Sequence, residues 1–292
     1  MKYINNYNKY HTGNPFEDNF LNEGKGIPHT LKWIVDEIFY NIDDFKNQIF
    51  NFDETDFKVS LTISYYNKKL SDIYGISTFG IYSPLNGLSN STIKIFLNFN
   101  DYDEKDLKRV ILHELLHIYE IYQRCESGIK KDLNWFVNNE LLKIRNKYSH
   151  DKFLSDLIFI MYLSYNHEIN ARVSEVYSIL IDLRTDDKNV LLNELYKTNA
   201  WKRLLDIKNF KISDYDINYD ICFNFFKEFN TKIQPKLKQE FNIFKIPETN
   251  KDIDIILKNY MIFFRKQSKK FENKLYKIIQ EIIFDIKKIY NT

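Results

Sequence analysis

The sequence is poor in the residues that build disulfide frameworks and flexible linkers. It contains 2 cysteines, 7 glycines and 5 prolines among 292 residues. Cys125 and Cys222 form neither a disulfide framework nor a C-x-x-C metal motif, which favours a reducing compartment. The amino terminus has no apolar segment followed by a small-residue cleavage site, so we expect no secretory signal and a cytoplasmic location.

The sequence also lacks an excess of charge of one sign and a long apolar run. Its 42 basic and 40 acidic side chains leave a net charge of +2, so we expect no nucleic-acid partner. The longest apolar run, Leu157–Leu163, is far shorter than the roughly 20 residues of a membrane span. The abundance of Asn, Ile, Lys, Tyr and Phe suggests an AT-rich bacterium or its phage. For a phage protein, the expected location becomes the host cytoplasm or the virion.

The first half of the chain changes from a helical pattern to a strand pattern and back again. Apolar residues recur at three- and four-residue steps from Thr30, and then alternate with polar residues from Phe57. Gly75 and Gly80 predict a bend or bulge in the second strand. The predicted elements are a helix at 30–50, strands at 57–65, 73–82 and 91–100, and a helix at 104–124.

The second half of the chain has helical patterns only. The predicted helices lie at 132–147, 152–164, 166–184, 187–208, 217–230 and 252–290. Pro235 and Pro247 predict linkers between the last of them. The apolar stripe of the C-terminal helix favours packing against the protein's own domain, and an oligomer contact through this helix is the alternative. We therefore predict an α+β fold with an irregular leader at 1–29, a domain with a small sheet at 30–184 and a helical extension at 185–292.

The segment Val110–Tyr119 places two histidines and a glutamate in an apolar frame. His113 and His117 are four residues apart and therefore lie on the same helical face, about one turn apart. An H-E-x-x-H helix typically binds zinc through both histidines and uses its glutamate as the general base. We therefore predict a zinc site with His113 and His117 as ligands and Glu114 as the base.

This motif and its apolar frame resemble those of the zincin metallopeptidases. The resemblance implies a small twisted sheet ahead of the metal-binding helix, in agreement with the predicted order of elements. It also implies that the edge strand of this sheet pairs with an extended peptide substrate. By resemblance, either the strand at 91–100 or the segment Ile73–Tyr82 takes this role.

The third zinc ligand must come from outside the motif, because catalytic zinc sites usually have three protein ligands and one open position. Glu120 and Gln123 stand where metzincins carry a glycine and a third histidine, so that subgroup does not fit. The segment Asn166–Arg172 resembles the downstream helix of gluzincins, which carries a glutamate ligand. The resemblance implies that Glu168 is the third ligand, and Ala171 would allow two helices to approach closely.

Several roles stay open at the level of sequence. His167 is the alternative third ligand, because a site of three histidines is also chemically competent. Arg172 stands where thermolysin-like enzymes have an aspartate that orients a histidine. The side chains that could take over this orienting role are Asn170, Glu175 and Asp182. The candidate donors to an oxyanion are Tyr162, Tyr165, Arg172 and Tyr177.

The predicted function is zinc-dependent hydrolysis of a protein or peptide substrate, with Glu114 as the general base. The substrate, the cleavage specificity and the substrate-binding residues are unknown. The alternative is a non-enzymatic structural or interaction protein, such as a phage virion component, that retains a zincin scaffold. A structural zinc site without turnover is a third hypothesis. Intact His113, Glu114 and His117 favour catalysis, because a scaffold has no need of a general base.

Overall fold

The structure is a computed structural model of the chain and has an α+β fold. It describes residues 29–42, 45–53, 57–69, 73–126, 141, 143–232 and 246–290. Nearly all of the predicted leader at 1–29, most of the predicted helix at 132–147 and the linker at Pro235 lie outside these residues. The α+β class predicted from the sequence is confirmed.

The first helix is shorter than the sequence predicted. Helix α1 (His29–Tyr40) ends ten residues before the predicted end at position 50, and strand β1 (Gln48–Asp53) follows it. The prediction of a single helix over 30–50 is therefore wrong. Phe50 and Phe52 pair with Leu61 and Val59 of strand β2 (Lys58–Asn67), so sheet pairing determines the conformation of this segment.

The sheet has five strands, and the strand that precedes the H-E-x-x-H helix lies inside it. Strand β5 (Gly87–Leu97) pairs in parallel with β2 on one side. On its other side it pairs antiparallel with β3 (Tyr74–Thr78) and β4 (Ile81–Ser83). The order is β1-β2-β5-β3, with β4 beside β5. Among the described residues, β3 has no strand on its outer side, so β3 forms an edge of the sheet.

The edge formed by β3 and β4 is interrupted at Gly80. A Cβ atom at this position would lie only 1.4 Å from the carbonyl oxygen of Ser89, so only glycine fits here. The amide of Gly80 donates a hydrogen bond to Oγ of Ser91, at 3.1 Å. The predicted strand at 73–82 is divided at this point into β3 and β4, which keep one register with β5, and the predicted bend stays a prediction.

Helix α2 (Glu104–Glu126) carries the H-E-x-x-H motif and agrees with the helix predicted at 104–124. Asp103 caps its first turn, because Oδ1 accepts a hydrogen bond from the amide of Lys105 at 2.7 Å. Residues 110–122 are buried on every side of the helix. Tyr119 and Tyr122 pack edge-on against Phe57, which precedes β2. The motif therefore lies in a helix that is buried in the core and packs against the residue preceding β2.

The remaining described elements are helical, as predicted. They are α3 (Lys152–Leu163), α4 (Asn166–Ile181), α5 (Lys188–Leu195), α6 (Asn199–Asn209), a 3-10 turn (Ile212–Asp214), α7 (Tyr219–Lys232) and α8 (Asn250–Tyr290). The single helix predicted at 187–208 is wrong, because two helices occupy this range. Thr198 separates them by capping α6: its hydroxyl accepts a hydrogen bond from the amide of Trp201, at 3.2 Å.

The described residues fall into two compact units, each discontinuous in sequence. The first contains the described residues before Gly128, Asn170–Leu192 and the described residues from Lys277 onward. It comprises the sheet, α1, α2 and most of α4. The second contains the described residues of Ile129–Ile169 and Asn193–Tyr276. The consecutive domains 30–184 and 185–292 stay a prediction.

The core of the second unit contains a cluster of aromatic side chains. Phe225 and Phe226 of α7 lie with their ring centroids 5.0 Å apart. Tyr260 of α8 stacks on both Phe226 and Phe264. Within the described part of the chain, no helix combines the length and the apolar composition needed to cross a membrane.

Candidate metal centre

The two histidines of the motif face each other inside α2. His113 is 7% exposed and His117 is 5% exposed, and their rings are nearly perpendicular, at 89°. Their Nε2 atoms lie 3.1 Å apart. Two donor atoms that each lie about 2.0–2.1 Å from one tetrahedral zinc ion are about 3.3 Å apart. The histidine geometry therefore fits a shared metal ion.

Glu168 completes the group of candidate ligands. It lies in the first turn of α4 and is 1% exposed. One ligand atom from each of His113, His117 and Glu168 lies within 4.8 Å of the other two. Two imidazoles and a carboxylate form a donor set typical of catalytic zinc sites. This buried group could hold a metal ion, and zinc as the metal stays a prediction.

His167 is not a member of this group in the part of the chain that the structure describes. Its Nε2 atom lies 3.8 Å from Oε1 of Glu168, and its ring stacks on Tyr165 with centroids 5.5 Å apart. His167 as the alternative third ligand stays a prediction that binding measurements must decide.

Glu175 is the buried carboxylate next to His113. Its Oε1 atom lies 2.5 Å from Nδ1 of His113. An ionised carboxylate only accepts hydrogen bonds, so Nδ1 carries the proton and the lone pair of Nε2 is left for a metal. Glu175 is one of the three residues that the sequence left open for this orienting role. Another of them, Asp182, forms an exposed ion pair with Lys32.

The charges around Glu175 keep it ionised despite its burial. Burial alone would raise the pKa of this carboxyl group, and it is the largest single influence. The hydrogen bond with His113 and the charges of Arg109 and Arg172 act in the opposite direction, and the net pKa is lowered. Nη1 of Arg109 lies 3.4 Å from Oε2 of Glu175. Sequence reasoning missed Arg109, because no motif of the sequence includes it.

The proposed general base lies against the edge strand of the sheet. A Cβ atom built on Gly75 of β3 would be 2.5 Å from Cγ and 2.9 Å from Oε1 of Glu114. The absence of a side chain at Gly75 therefore makes room for the Glu114 side chain. The sequence predicted only that Gly75 bends its strand, and this close approach was not recognised.

One candidate oxyanion donor has another partner within the first unit. The hydroxyl of Tyr177 donates a hydrogen bond to Oδ2 of Asp285, at 2.8 Å. Arg172 is 8% exposed and contributes its charge to the environment of Glu175. Tyr162 and Tyr165 stay candidates from the sequence alone.

The chain has no significant match in any of three comparisons. Neither a family model, nor a curated protein, nor a solved structure resembles it closely enough to assign a family. Any functional conclusion must therefore come from the residues of the site itself.

Proposed function

We propose that this protein is a zinc-dependent metallopeptidase. The observation that carries the proposal is the buried group of His113, His117 and Glu168, with Glu114 on the same helix as the histidines. Three protein ligands are typical of catalytic zinc sites, because a fourth position is needed for water. The H-E-x-x-H spacing adds a carboxylate at the position of the general base.

Each residue then has a defined task. His113, His117 and Glu168 would hold the metal, and Glu175 would fix the tautomer of His113. When bound, zinc would supply Lewis acidity and make a coordinated water acidic near neutral pH. Glu114 would take a proton from the attacking water and return it to the leaving nitrogen. The peptide C–N bond breaks as this proton reaches the nitrogen, and water supplies the new carboxylate oxygen.

The substrate strand would pair with β3. Of the two segments that the zincin resemblance offered, 91–100 corresponds to β5, which already has strands on both sides. β3 belongs to the other segment and forms an edge among the described residues. Because Gly75 of β3 lies against Glu114, a peptide paired with this edge would pass close to the general base.

The substitution Glu114→Gln tests this proposal. It removes the basic carboxylate but none of the three proposed ligands, so zinc content should stay stoichiometric while turnover falls by about 10²-fold or more. Zinc is measured by mass spectrometry of the purified protein, and turnover by cleavage of a complex peptide mixture. The control is Glu126→Gln, which makes the same change at an exposed position of α2.

Two outcomes would contradict the proposal. Full activity of Glu114→Gln would exclude this residue as the base. Stoichiometric zinc without cleavage of any peptide by the wild-type protein would favour the alternative of a scaffold or a structural zinc site. Cytoplasmic location, and host cytoplasm or virion for a phage protein, stay predictions from composition.

A further inference from the structure

Three aromatic rings form a row across the face of the sheet opposite to α2. Phe96 of β5 is the register partner of both Tyr66 of β2 and Tyr74 of β3. The ring centroids lie 5.0 Å apart for Tyr66 and Phe96, and 4.7 Å apart for Phe96 and Tyr74. The interplanar angles are 20° and 14°, so the rings stack nearly in parallel.

The spacing of this row equals the spacing of strands in a sheet. Neighbouring strands lie about 4.7–4.9 Å apart, so each strand contributes one ring at its natural position. Tyr74 is the last ring, because β3 forms the edge of the sheet among the described residues. Its side chain is 39% exposed. A strand added to β3 would therefore bring its own side chain to the next stacking position.

This stacking position is adjacent to the proposed catalytic position. Tyr74 precedes Gly75, where an added Cβ atom would overlap the Glu114 side chain. Successive residues of a strand point to opposite faces, so Gly75 faces α2 while Tyr74 faces away from it. A peptide residue paired with Gly75 would lie next to Glu114, and its immediate neighbour in the peptide would pair with Tyr74.

The ammonium group of Lys68 affects which substrate side chains can stack next to Tyr74. Its Nζ atom donates a hydrogen bond to the hydroxyl of Tyr74, at 3.1 Å, and lies 4.4 Å from the ring centroid of Phe96. This hydrogen bond helps to hold the Tyr74 ring upright in the row. The ammonium group also disfavours a second cation beside Tyr74, which would otherwise be attracted to the ring face.

We infer that Tyr74 forms a specificity subsite for an aromatic side chain of the substrate. The inference rests on the proposed peptidase function and adds a substrate class to it. The substrate is an extended peptide segment that pairs with β3 and carries Phe, Tyr or Trp within one residue of the position facing Glu114. Stacking on Tyr74 should favour such peptides about two- to tenfold over the corresponding alanine peptides.

The test compares kcat/KM for a cleaved peptide and for variants in which Phe or Ala occupies each position around the scissile bond. Wild-type protein should prefer Phe at one position by about two- to tenfold. Tyr74→Ala should lose this preference, whereas Tyr66→Ala should keep it, because Tyr66 is the ring at the other end of the row. Tyr74→Phe retains the ring and should also keep the preference.

The outcomes separate this inference from the proposed function. If wild-type protein cleaves no peptide, both fail. If it cleaves peptides without an aromatic preference, or if Tyr74→Ala keeps the preference, only the subsite is excluded. If Tyr74→Ala does not fold, Tyr74→Thr replaces it, because threonine is well suited to a strand.

Discussion

Nδ1 of His113 lies 2.5 Å from Oε1 of Glu175, and both side chains are buried. The first residue belongs to the H-E-x-x-H helix, and the second lies two turns beyond Glu168 on α4. This contact orients a proposed ligand that the sequence motif alone does not orient.

Glu175→Gln should weaken metal binding by about 10- to 100-fold, because the neutral amide makes His113 a poorer and less well-oriented ligand. The measurement is a competition titration with a chelator of known affinity. Asp182→Asn is the control, because Asp182 pairs with Lys32 at the surface and should leave the affinity unchanged. Equal affinities for Glu175→Gln and the wild type would show that this contact does not tune the metal.

The same substitution should also lower the stability of the metal-free protein. Glu175 is 2% exposed and lies beside Arg109, which is 15% exposed, so the neutral amide would leave this half-buried positive charge less well compensated. The expected loss in the free energy of unfolding is about 1–3 kcal/mol. Urea unfolding in the presence of a chelator measures this loss independently of metal affinity.

Glu168→Ala should reduce metal affinity by more than about 100-fold, which exceeds the usual effect of residues that only support a ligand. His167→Ala should bind metal as the wild type does, because the geometric group contains Glu168 and not His167. Metal content after dialysis measures both variants. The reverse result would assign the third ligand to His167.

Gly75→Ala should lower kcat by about 100-fold while zinc stays bound. The new methyl group would lie 2.5 Å from Cγ of Glu114, so this side chain must move, and small displacements of a catalytic group cost about this much. Ile76→Ala changes the next residue of β3, on the opposite face, and should affect kcat little. Loss of zinc from Gly75→Ala would indicate a wider distortion and contradict this explanation.

Stability should fall at alkaline pH in part because of Cys222. Burial, assisted by the charge of Asp151, raises the pKa of its thiol from 9.0 to about 12. Between these values the folded protein keeps a proton that the unfolded chain has lost. The free energy of unfolding therefore decreases as pH rises above 9, by at most about 1.4 kcal/mol per pH unit from this group.

Urea unfolding at pH 8, 9 and 10 checks this effect by comparing the wild type with Cys222→Ala. The alkaline slope should be shallower in Cys222→Ala and unchanged in Cys125→Ala. Parallel curves for wild type and Cys222→Ala would mean that the thiol does not contribute to the slope.

The core of the candidate site could be predicted because local spacing determines it. His113 and His117 are one helical turn apart in α2, so their proximity depends only on the local helix. The segment Asn166–Arg172 resembles the ligand-bearing helix of gluzincins, and this resemblance is also visible in the sequence alone. Glu175 follows Glu168 by seven residues and therefore lies on nearly the same helical face, whereas Asn170 follows it by two residues and lies on the opposite side of the helix. The approach of Gly75 to Glu114 could not be predicted, because it depends on how the sheet packs against the helix.

The errors in secondary structure have equally specific causes. Ile42 and Phe45 continue the helical spacing of α1, so the sequence offers no clear end at Tyr40. The strand conformation of Gln48–Asp53 comes from pairing with β2, which is a contact between segments and not a property of either one. The break between α5 and α6 has a local signal, because Thr198 is a favourable N-cap residue.

Helix α4 carries both Glu168 and Glu175, and this has a consequence for how the protein can evolve. Inserting one residue between them would rotate the two carboxylates by about 100° relative to each other, so they could no longer serve the same histidine pair. The proposed metal site does not require a fixed number of residues between His117 and Glu168, which are separated by 50 residues. Relatives should therefore differ in length before α4 and be invariant in length within its first three turns.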